Sequence, residues 1–192
     1  MIGRIRAVVG VGCVASSFLP GQANSDARYV EARRIASHNT YETKYASSFA
    51  AALQHTDGIE IDIYDSKAAL LGTGGRPCYW YVRHDAIGGN SNCASSPEEG
   101  LAGCLRDLKT WSQTNARHLP VTVFVDKKQA WGDPGEKRGP EDLDELILSV
   151  LGRDCVFVPT QLSSGRSTLR AAAAARLWPK LTQMRGKFLF VL

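Results

Sequence analysis

The sequence predicts an α/β fold built on a parallel sheet, open or closed into a barrel. Two observations predict it. Strand-like runs alternate with helix-like stretches along the chain, and residues capable of chemistry gather where the strand-like runs end.

The first strand is expected over 34–38, closing on His38-Asn39, with a helical stretch over 47–54. Residues 58–64 (GIEIDIY) alternate β-branched and polar residues, the strongest strand signal in the chain. A third strand is expected over 79–84, ending in His84, before a Gly/Asn/Ser-rich loop over 86–97. Pro97-Glu-Glu opens a helix to about Gln113, with Leu101, Leu105, Leu108 and Trp111 on one face. Residues 120–125 form a fourth strand closing on Asp126, and 129–139 a Gly/Pro/charged loop. Pro140 starts a helix whose buried stripe is Leu143, Leu146, Ile147, Val150 and Leu151. A short extended piece over 155–158, an alanine-rich helix over 168–177 and a fifth strand over 187–192 follow. About five strands do not close an eight-stranded barrel of about 250 residues. The apolar last strand therefore predicts an incomplete version of a longer enzyme.

The chain has 192 residues, 44% hydrophobic and 22% charged, with a formal charge of +4. That composition is enough for a core. No basic run or aromatic-interleaved basic stripe occurs, which speaks against nucleic acid as a partner. Arg4 and Arg6, the apolar stretch 7–19 and the small residues around Gly21-Gln22-Ala23 have the anatomy of a signal peptide over 1–23. The apolar stretch is too short to span a bilayer, so no transmembrane segment is expected. The domain proper is then 24–192, in a secreted or periplasmic protein, expected to be a monomer. Four cysteines remain, Cys78, Cys93, Cys104 and Cys155. In an exported chain they suggest two disulfides, in any of three pairings.

Period-two geometry puts Glu60 and Asp62 on one face of their strand. Two carboxylates aimed into one interior repel, and a divalent cation relieves the cost. Asn39 and Asp126 would add oxygens. An all-oxygen set of Asn39, Glu60, Asp62 and Asp126 suits calcium, with magnesium as the alternative, and disfavours zinc. His38 and His84 are then free for acid–base work near neutral pH. Phosphodiester cleavage needs a base, stabilisation of charge at phosphorus and an acid, which two histidines and a cation can supply.

Ser37-His38-Asn39-Thr40-Tyr41, Glu60-Ile-Asp62 and Val82-Arg83-His84 resemble, in that order, three segments of the phosphoinositide phospholipase C catalytic region. The stretch from Thr168-Leu-Arg through Trp178-Pro to 185–192 is similar to the calcium-dependent, secreted bacterial and fungal branch. The resemblance covers roughly 33–192 and implies a TIM-like barrel of the phospholipase-C-like phosphodiesterase type. It implies that His38 stabilises the pentavalent phosphorus and that His84 is the acid for the diacylglycerol oxygen. It implies that Asn39, Glu60 and Asp62 hold calcium, with Asp126 where the family usually has Glu. The substrate would be a phosphatidylinositol-type lipid at a membrane surface, giving diacylglycerol and a cyclic inositol phosphate. The rivals are a glycerophosphodiester phosphodiesterase and an inactive lipid- or metal-binding fragment.

Other polar residues invite blander readings. His55 and His118 read as surface or loop residues, and Asp85 as a cap pointing away from His84. Asp126 reads equally as ligand or helix cap. Lys128, on the same face as Asp126, reads more readily as a solvated lysine than as a phosphate contact. Lys187 reads as structural, Trp178-Pro179 as packing, and Gly72–Gly75 as a flexible turn.

Overall fold

The computed structural model describes residues 26–65, 80–85, 91–95, 100–132, 138–163 and 165–192. The signal-peptide reading, Cys78, the glycine-rich turn at 72–75, most of the loop over 86–97 and the Pro97 helix start lie outside the described residues.

The strands are β1 (Ala36–Ser37), β2 (Gly58–Asp65), β3 (Trp80–Val82), β4 (Val121–Lys127) and β5 (Phe188–Val191). The helices are α1 (Phe49–Ala52), α2 (Leu101–Thr114), α3 (Pro140–Leu151), α4 (Pro159–Ser163) and α5 (Leu169–Ala174). Strands β1, β2, β4 and β5 lie side by side and parallel, the arc of a barrel. β2 sits in its middle because its isoleucines bury completely on one face, as the alternation predicted.

Ile59, Ile61 and Ile63 of β2 pack with Val121, Val123 and Val125 of β4 against Leu101, Leu105 and Leu108 of α2 and Leu143, Ile147 and Leu151 of α3. The 3.6-residue spacing of those leucines places them on one face of each helix. α1 starts where the Ser48 hydroxyl accepts from Ala51 N, and α5 where Thr168 accepts from Ala171 N. α3 has Pro140 at its start, and Asp142 accepts from Gly139 N. Gly58 allows β1 to approach: a Cβ there would lie 3.0 Å from Ala36 Cβ and 3.4 Å from Thr122 O.

The sheet departs from expectation at β3, which runs antiparallel to β2, pairing Ile63 with Val82 and Asp65 with Trp80. Period and composition cannot distinguish a returning strand from a crossover strand, because all three β3 residues are buried. The piece expected to be extended over 155–158 is instead a 3-10 turn at Arg153–Cys155, a bridge from Val156 to Phe188, and then α4.

Two readings need correction. The expectation of two disulfides fails at Cys155, which is a free, half-buried thiol, while Cys93 and Cys104 form a disulfide. That bond ties the segment around Asn92 to α2. Its loss through a Cys93→Ala and Cys104→Ala double variant is expected to cost roughly 2–3 kcal/mol, read by denaturant unfolding.

His118 is not a surface residue. Its ring lies 4.7 Å from Trp111 and 5.4 Å from Phe188, centroid to centroid. Nδ1 lies 2.6 Å from Leu119 O, which can only accept, so Nδ1 carries the proton and Nε2 accepts from the Ser112 hydroxyl at 2.9 Å. Burial holds its pKa below the ordinary value, against the Leu119 hydrogen bond. A histidine kept neutral in the fold protonates first in the unfolded chain. Its contribution is whole above about pH 6.5 and is lost as pH falls from there towards the folded value. Denaturant midpoints measured at pH 7.5 and 5.5 should fall on acidification, and fall less in His118→Gln.

Candidate active site

Residues paired in register share a face of the sheet. β2 and β4 pair Glu60 with Phe124 and Asp62 with Asp126. The isoleucine face is occupied by helices, so Glu60, Asp62 and Asp126 emerge together on the other face. One carboxylate oxygen from each lies within 4.8 Å of the others.

The edge of β2 away from β4 brings up the rest. Glu60 O accepts from Thr40 N at 3.1 Å, and Asp62 O, one pleat further on, accepts from Arg83 N at 3.2 Å. The loop after β1 and the chain leaving β3 are thereby laced to successive carbonyls of one strand edge. His38 precedes the first of these contacts and His84 follows the second. The reversal of β3, unforeseen in the sequence, carries the chain back along β2, so that it passes the Asp62 carbonyl just before His84.

The Ser37–Tyr41 segment is a rigid turn. The Thr40 hydroxyl donates to Ser37 O at 2.7 Å and accepts from Glu60 N at 3.2 Å. Asn92 Nδ2 donates to Thr40 O at 2.8 Å and to Ala46 O at 2.9 Å. Asn39 sits in the left-handed region at φ 48°, which asparagine tolerates better than most residues. Its N–H donates to Glu60 Oε2 at 2.6 Å.

His38 is 79% exposed, with Nε2 4.0 Å from Glu60 Oε2. His84 is half-exposed, with Nδ1 3.5 Å from Asp85 Oδ1. Asp85 therefore does not point away from its neighbour as expected.

Asp62 is 1% exposed. Its Oδ2 accepts from Tyr41 OH at 3.0 Å and from Lys128 Nζ at 2.9 Å. Lys128 also reaches Asp126 Oδ2, at 2.6 Å. The solvated reading of Lys128 is thus overturned: the end of β4 carries it back onto two carboxylates. Burial and the Asp62 carboxylate hold the Tyr41 hydroxyl above its ordinary pKa. Glu60 is pushed up to about 7, by burial first and then by its contact with Asp62, against the Asn39 N–H and Lys128. Burial alone would lower Lys128, but Asp126 and Asp62 together raise it.

Two oxygens of the cluster, Asp62 Oδ1 and Asn39 Oδ1, are buried and stand without a hydrogen-bond partner. An orphaned carboxylate oxygen in a closed site is costly unless something cationic meets it. Both belong to the oxygen set read from the sequence, and their hardness suits calcium. Tyr41, Thr40 and Asn92 were assigned no role from sequence. Tyr41 and Thr40 lie inside the Ser37–Tyr41 segment, whereas nothing in the loop around Asn92 signals its anchoring part.

The arc of parallel strands carries a three-carboxylate cluster on the face away from the helices, flanked by two histidine-bearing segments, which is the framework of a partial barrel with a candidate metal centre. The chain is similar to a solved calcium-dependent phosphoinositol-specific phospholipase C from a Gram-negative bacterium, Pseudomonas sp. That match has a TM-score of 0.78 and 31% identity, over 90% of this chain and 60% of that one. A second structure of that description, a myoinositol complex, matches with TM-score 0.72 and 35% identity over 83% and 55%. A calcium-dependent phosphatidylinositol-specific phospholipase C from Streptomyces antibioticus matches with TM-score 0.68 and 32% identity over 81% and 50%. The chain thus spans 50–60% of the length of these enzymes. No curated protein sequence matches it. The model of the family "Phosphoinositide phospholipase C, Ca2+-dependent" matches residues 90–192. The chain belongs to that calcium-dependent phosphoinositide phospholipase C family.

Proposed function

We propose that this protein cleaves the phosphodiester of phosphatidylinositol-type lipids with the help of calcium. The observation that supports this most is the pair of orphaned buried oxygens, Asp62 Oδ1 and Asn39 Oδ1, beside carboxylates gathered within 4.8 Å. Asn39, Glu60, Asp62 and Asp126 would hold the ion. When bound, calcium supplies positive charge that offsets the charge developing on the phosphoryl oxygens.

The chain's own groups then have distinct tasks. The inositol 2-hydroxyl oxygen forms a bond to phosphorus while the bond to the diacylglycerol oxygen breaks. The hydroxyl proton passes to an imidazole nitrogen of His38, which then carries it as a donor. His38, exposed at the end of β1, donates a hydrogen bond to the pentavalent phosphoryl group. His84 has Nδ1 turned to Asp85, so Nε2 is the nitrogen that gives its proton to the departing diacylglycerol oxygen. The products are diacylglycerol and a cyclic inositol phosphate. The Cys93–Cys104 disulfide supports placing the protein outside the cytosol, secreted or periplasmic, where it would meet its lipid at a membrane surface. Among the described residues, no helix is long and apolar enough to cross a membrane.

The test compares phosphatidylinositol vesicles with glycerophosphocholine, each with calcium chloride or with chelator. Calcium-dependent release of diacylglycerol and a cyclic inositol phosphate from the vesicles is expected. Turnover of glycerophosphocholine alone would favour a glycerophosphodiester phosphodiesterase. Calcium binding without turnover would indicate a binding fragment.

A further inference from the structure

The acidic mouth already holds a cation, and the chain supplies it. Lys128 Nζ lies 2.6 Å from Asp126 Oδ2 and 2.9 Å from Asp62 Oδ2, contacts typical of charge-assisted hydrogen bonds. We propose that Lys128 is a tethered stand-in for the divalent cation, seated on Asp62 and Asp126 until calcium displaces it. The proposal rests on the calcium reading above.

The two partners differ in their freedom to move. Asp62 is fixed: it lies on the central strand, 1% exposed, and Tyr41 holds it. Lys128 sits just past the end of β4, its side chain is 26% exposed, and its charge rides on a flexible four-carbon stem. When two cations compete for the same carboxylate oxygens, the ammonium is the one with somewhere to go.

Lysine also fills the site only in part. Its three donors reach Oδ2 of Asp62 and Oδ2 of Asp126, and leave Asp62 Oδ1 and Asn39 Oδ1 with no partner. Calcium takes six to eight oxygens and can use those that an ammonium cannot reach. An ammonium and a dication sharing the buried Asp62 Oδ2 would repel, so binding of one favours departure of the other. The lysine thereby offsets the self-repulsion of the carboxylates and weakens apparent calcium affinity by the fraction of time it is seated.

Calcium titration calorimetry on the full chain, freed of metal by chelator, tests this with wild type and Lys128→Met. A lysine seated 90–99% of the time predicts that the variant binds calcium roughly 10- to 100-fold more tightly. A second measurement uses the wild type alone. Acetylation of Lys128 by a limiting amine reagent, read by mass spectrometry, should be several-fold faster in calcium than in chelator. Unchanged or weaker calcium binding by the variant, or labelling that calcium leaves unchanged or slows, overturns the proposal while the calcium reading stands. Absence of calcium binding in both proteins overturns the two together.

Discussion

In a His38→Ala variant, phosphatidylinositol turnover is expected to fall by roughly 10²- to 10⁴-fold, the range for loss of a positioned proton-transfer or hydrogen-bonding group. The side chain is 79% exposed, and its ionic neighbour among the described residues is Glu60, 4.0 Å away. Removing it therefore costs the fold little, and the thermal midpoint should stay within a degree or two of wild type. Calcium affinity should also hold, because the oxygen set is untouched. Initial rates on vesicles, calcium titration calorimetry and a melting curve read the three effects separately. A rate within threefold of wild type would remove His38 from the mechanism proposed here.

The largest expected effect on stability belongs to Ile61→Ala. Ile61 is 1% exposed in the middle of β2, in the cluster that joins β2 and β4 to α2 and α3. Truncating a fully buried isoleucine removes transfer free energy and leaves a cavity that parallel strands cannot close, at a cost of about 2–5 kcal/mol. In a chain of this size each kcal/mol lowers the midpoint by about 2–4 °C. A drop of roughly 5–15 °C by calorimetry is therefore expected. Ile61 also lies between Glu60 and Asp62, so the strand that carries the carboxylates is the one loosened. On the proposed calcium site, added calcium should recover part of the loss, since it would bind only the folded cluster. A change below about 1 kcal/mol would mean the core does not depend on β2 as described.

Much of this architecture was legible in the sequence because the signals were local. The run GIEIDIY states its own strand and its own two faces, and β2 occupies 58–65 with every isoleucine buried. The leucine spacing of α2 and the Pro140 start of α3 did the same for the helices. Glu60 and Asp62 share a face by alternation alone, and their meeting with Asp126 needed only the assumption that β2 and β4 are neighbours.

What failed was what depends on direction and on partners distant in sequence. β3 reads as any short strand, and only packing against the far end of β2 makes it antiparallel. Lys128 looks like any lysine beyond a strand, until the register of β2 against β4 sets Asp62 beside Asp126. His118 looks like a loop residue, until α2 and β5 supply Trp111 and Phe188 on its faces.

The sequence by itself determined which residues are capable of chemistry and, for β2, which side of the strand they occupy, because periodicity and residue type are properties of adjacent positions. The tertiary structure alone decided which of those residues confront one another: the register that sets Asp62 beside Asp126, and the lysine that sits on both. Strand order, strand direction and register are set by burying apolar faces taken from distant parts of the chain, and no local pattern encodes that sum.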